Sequence, residues 1–457
     1  MLSVEANERL TRVGPGTPMG ALMRRYWLPI RPLAQLLDED VMQVRILGED
    51  LVLFRTLKGE LGLIGDRCAH RRTGLRYGIP EDDGLRCCYH GWLYDPTGQC
   101  IETPLEAPGS TFAERVKITG YPVQELGGLV WAYLGPAPAP LVPPWDLLVM
   151  PNALRQIGIV VLDCNWLQCH ENTGDPTHSV YLHGRLFEYV LKKQGALEQR
   201  AAEGGVHTLY SRMKSGVGIE SLFARATPHG MEKGINYAKA LGADRDFTSR
   251  HSTVIFPFFT QSGGAGQVRQ EFQIRVPIDD THTYHINYGC YLAPPDVKAP
   301  EQDVVPWYDV PLVDESGKPI LDYVLAQDMA AWRSQGDITD RSLEKLGRTD
   351  QPIIFLRRQL EEQLSIVEDG GDPMNVFRDP AELPQVLHGG AWDESVAAWW
   401  TENKAKGTGT GSSDFRSAYH KGHTMDDVDR YGPVTPQVVE LMREIEEAQA
   451  KASGPTK

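Results

Sequence analysis

Nothing in the chain approaches the roughly 18–20 unbroken apolar residues that a membrane-spanning helix needs, so an integral membrane protein of that kind is not expected. Its opening, MLSVEANERLTRVGPG, lacks the basic start and apolar run of a secretory leader. A cytoplasmic location follows as the expectation. Positive charge is in short supply: 46 Lys and Arg stand against 61 Asp and Glu, a formal net charge of −15. Nucleic-acid binding wants clustered Lys and Arg against the phosphates, so nucleic acid is not an expected partner. The cysteines do not pair off, for there are seven: Cys68, Cys87, Cys88, Cys100, Cys164, Cys169 and Cys290. An odd number in a long chain without a leader does not read as a disulfide framework, and metal ligation by some of them is the better expectation. No G-x-G-x-x-G follows a strand, so flavin or nicotinamide chemistry would have to come from another protein.

What is present is ordinary folded-protein text. The 457 residues, 41% hydrophobic and 23% charged, are enough for two or three domains with their own cores. Residues 1–40 read as a helical arm interrupted by Pro15, Pro18 and Pro29. From 41 to 135 come short β-rich runs, with Asp95-Pro96-Thr97-Gly98 as a turn between two of them. The Pro-rich strip PAPAPLVPPW, 136–145, reads as a linker. Residues 163–192 suit a helix and an irregular continuation. In VRQEFQIRV, Phe272, Ile274 and Val276 alternate with Glu271, Gln273 and Arg275, the period of a half-buried strand. Asp279-Asp280 then turns into a second strand, 282–292, and helices are expected near 320–335 and 351–367. The segment AKGTGTGSSD, 405–414, is a flexible linker by composition, and the charged helix 436–451 is expected to be peripheral. Four regions result: an arm (1–40), a small β domain (41–145), a larger α+β domain (146–404) and a partly helical tail (405–457).

The densest chemistry is Cys68-Ala-His70, sixteen residues, then Cys87-Cys-Tyr-His90. Two cysteines and two histidines at short paired spacing supply four ligands, which suits tetrahedral zinc or a [2Fe–2S] cluster with two histidines in place of two cysteines. Three features favour the cluster. The ligands lie in strand-loop-strand text, and Gly74, Gly78, Gly84 and Gly91 surround the loops, where backbone N–H groups must approach bridging sulfurs. The following segment also offers a second metal site that would need an electron source. Of the adjacent cysteines, the spacing to His90 selects Cys87, leaving Cys88 to pack as a small hydrophobe.

This motif, with Gly91-Trp92 after it, resembles the Rieske domain of ring-hydroxylating oxygenases. LTRVGPGTPMGALMRRYWLPI and LIGDRCAHRRTGLRYG are similar to the phthalate dioxygenase branch, which includes O-demethylases of lignin-derived aromatics such as 5,5′-dehydrodivanillate. The resemblance covers most of 1–370. It implies an α+β chain: an N-terminal all-β Rieske domain and a larger helix-grip (START-like) catalytic domain with an antiparallel sheet.

A second constellation lies in NWLQCHENTGDPTHSVYLHG, 165–184. Two histidines and one carboxylate on one face of Fe(II) leave positions for O₂ and substrate. Asp175, His178 and His183 alone are weak evidence, because such a trio arises readily by chance. The resemblance supplies the pattern D-x₂-H-x₄-H, and implies iron ligation by His178 and His183. His170, with Gly174 and Pro176 interrupting the helix after it, reads as pocket wall or core. Asp328, in LAQDMAAWRSQ, matches where the branch carries its carboxylate ligand; Asp322, Asp337 and Asp340 are its competitors. The resemblance gives Asp175 another task, bridging His178 and the partner subunit's His90. By i,i+3 geometry its carboxylate can reach His178 and fix the tautomer. A homotrimer is implied.

Arg67, Arg71, Arg72, Arg76 and Arg86 crowd the cluster loops and could dock an acidic electron donor. Phe256, Phe258 and Phe259 read as core before cavity, Arg212, Arg225 and His251 as minor candidates for a substrate carboxylate, and His420 and His423 as surface residues. The expected function is the oxygenase component of an aromatic oxygenase carrying one [2Fe–2S] cluster and one Fe(II) per chain. Electrons from NAD(P)H would arrive through a separate reductase or ferredoxin, to hydroxylate or O-demethylate an aromatic, carboxylated substrate. A cis-dihydroxylating phthalate-type dioxygenase is the near alternative. A bare Rieske electron carrier and a zinc-stabilised binding protein are the distant ones, separated by iron content and colour.

Overall fold

The alternation in residues 41–65 makes three antiparallel strands, Val41–Ile46, Glu49–Arg55 and Leu61–Gly65, with Gly120–Tyr121 as a short fourth. Val44 and Ile46 point inward while Gln43 and Arg45 stay exposed, as the period of two requires. A second four-stranded sheet joins Ile79–Glu81, Gly84–Arg86, Leu93–Tyr94 and Cys100–Glu102. Between the sheets lie Val52, Phe54, Ile64, Leu75, Leu85 and Trp92. The expected turn is there: the Asp95 carboxylate accepts the Thr97 and Gln99 N–H groups, and Gly98 takes φ +82°. The computed structural model describes residues 2–198, 219–237, 252–262, 269–294, 296–389 and 435–453.

The first forty residues differ from a purely helical arm. Helices Val4–Thr11, Pro18–Met23 and Leu33–Asp38 flank a strand, Trp27–Pro32, which pairs with Leu129–Tyr133. Trp27, Leu28 and Ile30 are buried there, and the register slips between Pro29 and Arg31, where a proline cannot donate to the ladder. The Pro-rich strip is likewise no free linker. The Leu141 N–H bonds to the Phe377 carbonyl at 2.8 Å, and the Pro140 carbonyl accepts the Trp27 indole N–H at 2.8 Å.

The larger half is built on an eight-stranded sheet, in the order 219–227, 230–237, 252–255, 259–262, 269–277, 283–292, 153–162, 307–309. All its pairings are antiparallel except the last. One face carries Phe259, Phe272, Ile274, Ile286 and Tyr288, which share a core with Trp131 and Tyr26 of the N-terminal half. The opposite face carries the polar alternates. These are not turned to solvent as a half-buried strand would suggest: Arg275 is 1% exposed and all ten residues of Thr283–Leu292 are buried. Helices Trp166–Gly174 and Val324–Arg333 lie near this face, with the latter's Trp332 against Arg275 and His285.

The last helix, Pro436–Ser453, is not peripheral either. Its Val438, Leu441, Met442 and Ile445 pack on Leu154, Tyr291, Val297 and Ala299, an apolar stripe that its many charges conceal in a composition reading. Residues 405–414, His420, His423, Arg212 and His251 lie outside the described residues. Among the described residues no helix is long and apolar enough to cross a membrane.

Candidate metal centres

The cluster motif sits on two loops of the small β half. Cys68 and Cys87 are buried, 1% and 3% exposed, while His70 and His90 stand at the surface with ring centres 4.4 Å apart. Thiols inside and imidazoles outside match the donor set of a cluster with one Cys₂ iron and one His₂ iron. Trp92 stacks on His70 at 4.7 Å. Gly91, at φ +77°, lets the second loop turn back between His90 and Trp92. Burial, and then the neighbouring Cys68, raise the Cys87 thiol above its usual range, a cost that binding as a thiolate to iron removes. Tyr94 ties the first loop down. Its hydroxyl accepts the Ala69 N–H at 3.1 Å and lies 3.3 Å from Cys68 Sγ, to which it would donate once Cys68 is a thiolate. Cys88 is exposed rather than packed, because the chain direction that sends Cys87 inward sends its neighbour out.

Three of the five loop arginines are engaged at home. Arg67 and Arg76 face Asp66, and Arg86 holds Glu81 and Glu102. Arg71, over the Tyr89 ring at 5.6 Å, and Arg72 stay exposed without a carboxylate partner among the described residues.

The second centre forms where the helix Trp166–Gly174 ends. Pro176 disfavours helical backbone at the residue before it, and Asp175 is extended (φ −93°, ψ 110°). The chain re-enters a helix at His178, and Tyr181–Leu186 winds as a π-helical turn. In an α-helix five residues advance about 500°, leaving His183 about 140° away from His178; the wider i→i+5 winding turns both rings to one side. His183 Nε2 lies 3.1 Å and His178 Nε2 3.6 Å from Asp328 Oδ1. Among the described residues these are the group whose three ligand atoms close to within 4.8 Å.

Both imidazoles are held by Nδ1, which leaves Nε2 to face Asp328. His178 Nδ1 donates to the Asp175 main-chain carbonyl at 2.7 Å, and His183 Nδ1 to Gln327 Oε1 at 2.9 Å. Gln327 is oriented in turn by its amide N–H on the Leu321 carbonyl, 2.8 Å. The holding of His178 differs from the sequence expectation: the Asp175 carboxylate is 3.8 Å from His178 Nδ1, and its Oδ1 is taken by the Thr177 N–H and hydroxyl. Burial pushes the His178 imidazole down to about 4, so it is neutral, as a ligand must be. Burial raises Asp328, but His183, His178 and Arg275 outweigh it and hold the carboxyl below its usual range. Two histidines, with His178 neutral, beside an ionised carboxylate are the donor set of a 2-His-1-carboxylate iron site.

Sequence reading did not single out Gln327 or Asn172, whose amide donates to Asp328 Oδ1 at 3.3 Å. The readable signal was weak: each lies within three residues of a motif residue, and nothing in the pattern marks an amide as a support. Of the competitors, His170 is buried core stacked on Trp166, and Asp322 accepts from Gln194. Phe256, Phe258 and Phe259 are core, and Arg225 pairs with Glu232 on an exposed flank.

With this geometry goes a family match: the Rieske [2Fe-2S] domain, over residues 26–122, which takes in the strand Trp27–Pro32. The chain belongs to the Rieske non-haem iron oxygenases, as an oxygenase component, and its cofactors are a Rieske [2Fe–2S] cluster and a mononuclear iron. It is 37% identical over 388 residues to the oxygenase subunit of 5,5′-dehydrodivanillate O-demethylase from Sphingobium sp. (strain NBRC 103272 / SYK-6), covering 83% of this chain and 85% of that one. It is 31% identical over 403 residues to the phthalate 4,5-dioxygenase oxygenase subunit of Pseudomonas putida, covering 81% and 88%. The fold is similar to the terminal oxygenase of carbazole 1,9a-dioxygenase from Nocardioides aromaticivorans IC177, with a TM-score of 0.55 and 17% identity over 79% of this chain and 96% of that one.

Proposed function

We propose that this chain hydroxylates or O-demethylates an aromatic, carboxylated compound. Cys68, His70, Cys87 and His90 would hold the cluster, and His178, His183 and Asp328 the iron. The observation that carries the reading is the convergence of His178, His183 and Asp328, with both Nδ1 atoms occupied elsewhere. When bound, the two groups supply stored electrons and O₂ activation next to the substrate. The chain's own part is orientation. Gln327 and the Asp175 carbonyl fix the imidazole tautomers, Asn172 steadies Asp328, and the buried face behind them excludes water. Similarity to an O-demethylase and to a phthalate dioxygenase supports the aromatic acid. It leaves both one-oxygen and two-oxygen outcomes in view.

We further propose a homotrimer, working in the cytoplasm with a separate NAD(P)H-dependent reductase or ferredoxin. Electrons would cross between subunits through Asp175, toward which the partner subunit's His90 would point. Two features support this route. His90 is partly exposed, and Asp175 Oδ2 accepts no hydrogen bond among the described residues. Nor does any hydrogen bond or ion pair among them join the cluster loops to the iron-site helices. The test is O₂ consumption with a surrogate reductase across phthalates, methoxybenzoates and biaryl acids, together with an iron count. About three irons per chain and substrate-dependent uptake are expected. Two irons and no such uptake would leave only an electron carrier.

A further inference from the structure

Arg275 and His285 are cross-strand partners on Arg269–Pro277 and Thr283–Leu292, so both leave the polar face of the large sheet. Each is buried, 1% and 0% exposed. Among the described residues the Arg275 guanidinium meets only neutral acceptors. Nη1 donates to Thr260 Oγ1 at 2.6 Å and the Gln273 carbonyl at 3.2 Å, Nη2 to Gln273 Oε1 at 2.5 Å, and Nε to nothing. Among the described residues no carboxylate lies within ion-pair distance of it. Neither nitrogen of His285 has a partner among the described residues, nor has the Trp332 indole N–H. The Trp332 ring lies against both, 5.4 Å from Arg275 Cζ and 5.6 Å from the His285 ring centre.

A buried cation without a counter-ion is costly, and two charges near enough to help have other work. Glu271 is bonded to Arg269, Ser262 and Gln273. Asp328 faces His178 and His183, and an iron held there would take up its charge. Burial pushes Arg275 down only to about 10, so it stays cationic at neutral pH. What these donors lack is an anionic acceptor. Trp332 follows Asp328 by four residues on Val324–Arg333, hence on the same helix face and about 6 Å along the axis. An anion met there would sit one helical turn from the iron ligand, within the span of a small aromatic molecule.

We propose that Arg275, with His285 and the Trp332 N–H, is the subsite that takes the substrate's anionic oxygen, either a carboxylate or an ionised phenol. The proposal rests on the oxygenase reading above and assigns that site's substrate class to particular residues. Arg275 reads the charge; His285 and Trp332 add direction.

The experiment uses protein loaded with cluster and iron. Binding calorimetry and reductase-driven O₂ uptake compare 3-methoxybenzoate and 5,5′-dehydrodivanillate with their methyl esters, and with 2-methoxy-4-nitrophenol, which is ionised near neutral pH. Wild-type protein should prefer an acid over its ester by about tenfold or more. Arg275→Gln should bring that ratio close to one by weakening the acid alone, and Arg275→Lys should keep part of it. The phenol arm decides which anion is read: weakening by Arg275→Gln of the acid only assigns a carboxylate site, and of the nitrophenol only a phenolate site. A wild-type ratio near one with no effect on the phenol, or an unchanged ratio in a folded Arg275→Gln, overturns the subsite while leaving the oxygenase reading standing. If no acid, ester or phenol binds or stimulates uptake, the aromatic-acid reading falls and the subsite with it. The wild-type comparison stands even if the variant does not fold.

Discussion

Tyr94 and Gln327 do the same kind of work at the two centres: each gives one hydrogen-bond partner to a side chain of the metal-binding set. Losing the Tyr94 hydroxyl removes the donor that faces Cys68 Sγ when that sulfur is a thiolate. A sulfur that loses a donor becomes a better electron source to its iron, so Tyr94→Phe should lower the cluster potential. With a net hydrogen bond worth about 1 kcal/mol, the shift is about 40–60 mV for a one-electron couple. A redox titration followed by the cluster's visible absorption measures it; an unchanged potential would mean that the contact does not persist in the loaded protein. Gln327→Leu is the matching change at the iron. His183 Nδ1 then loses the Gln327 acceptor, and iron affinity should fall about 10–100-fold with the cluster fully retained. Iron per chain after graded chelation, read against cluster absorbance, separates this from general unfolding.

At the scale of the element, Trp166–Gly174 carries the argument, because the iron site hangs from its end. Glu171 on this helix is buried between Arg341 and Arg357, at 2.7 Å and 2.6 Å, and Arg341 reaches Asn7 of the first helix at 3.1 Å. One carboxylate thus ties together the iron-site helix, the helix Gln351–Glu368 and the N-terminal arm. Glu171→Gln leaves two buried guanidinium groups facing an amide, and breaking such a pair costs about 3–5 kcal/mol. A drop of that size in a denaturant titration is expected. Burial raises the Glu171 carboxyl, but Arg341 and Arg357 outweigh it and hold it below the usual range. Its stabilisation is therefore fully present above the unfolded value of about 4.3 and is lost as pH falls through the lower folded value. The variant should show a flatter acid limb than the wild type. How far such elements could be read in advance follows from their periods. The strands 269–277 and 283–292, both flanking helices and the cluster loops were legible, because alternation, turn residues and paired Cys/His spacing are local signals. The π-helical turn was not, since α-helical spacing holds His178 and His183 apart. The buried polar face was not either, since Arg275 in an alternating strand looks the same whether helices or water cover it. The strand hidden in the arm was masked by Pro29, and the docking stripe of the last helix by its charges.

In the whole molecule the two metal centres lie in different halves, the cluster on loops of the small β half and the iron at the end of a helix on the large sheet. In the proposed homotrimeric ring each cluster would serve the next subunit's iron, with Asp175 between. Asp175→Asn keeps the main-chain carbonyl that holds His178, so iron and cluster should both load, while turnover nearly vanishes because the charged bridge is gone. That variant alone cannot say which chain's cluster it disconnects; mixed rings can. Cys68→Ser removes one chain's cluster and His183→Ala removes the other's iron, so each homo-oligomer is inactive by construction. In random mixtures a functional pair needs an intact cluster followed round the ring by an intact iron site, which is about one interface in four for a head-to-tail ring. Co-expression of the two chains should then restore about a quarter of wild-type O₂ uptake per chain. If electrons instead stay within one chain, no chain in any mixture has both centres, and activity stays at background whatever the ratio. Adding Asp175→Asn to the Cys68→Ser chain, which supplies the working iron sites, should abolish the recovered activity. Adding it to the His183→Ala chain should leave that activity unchanged, because the bridge belongs to the subunit that holds the iron.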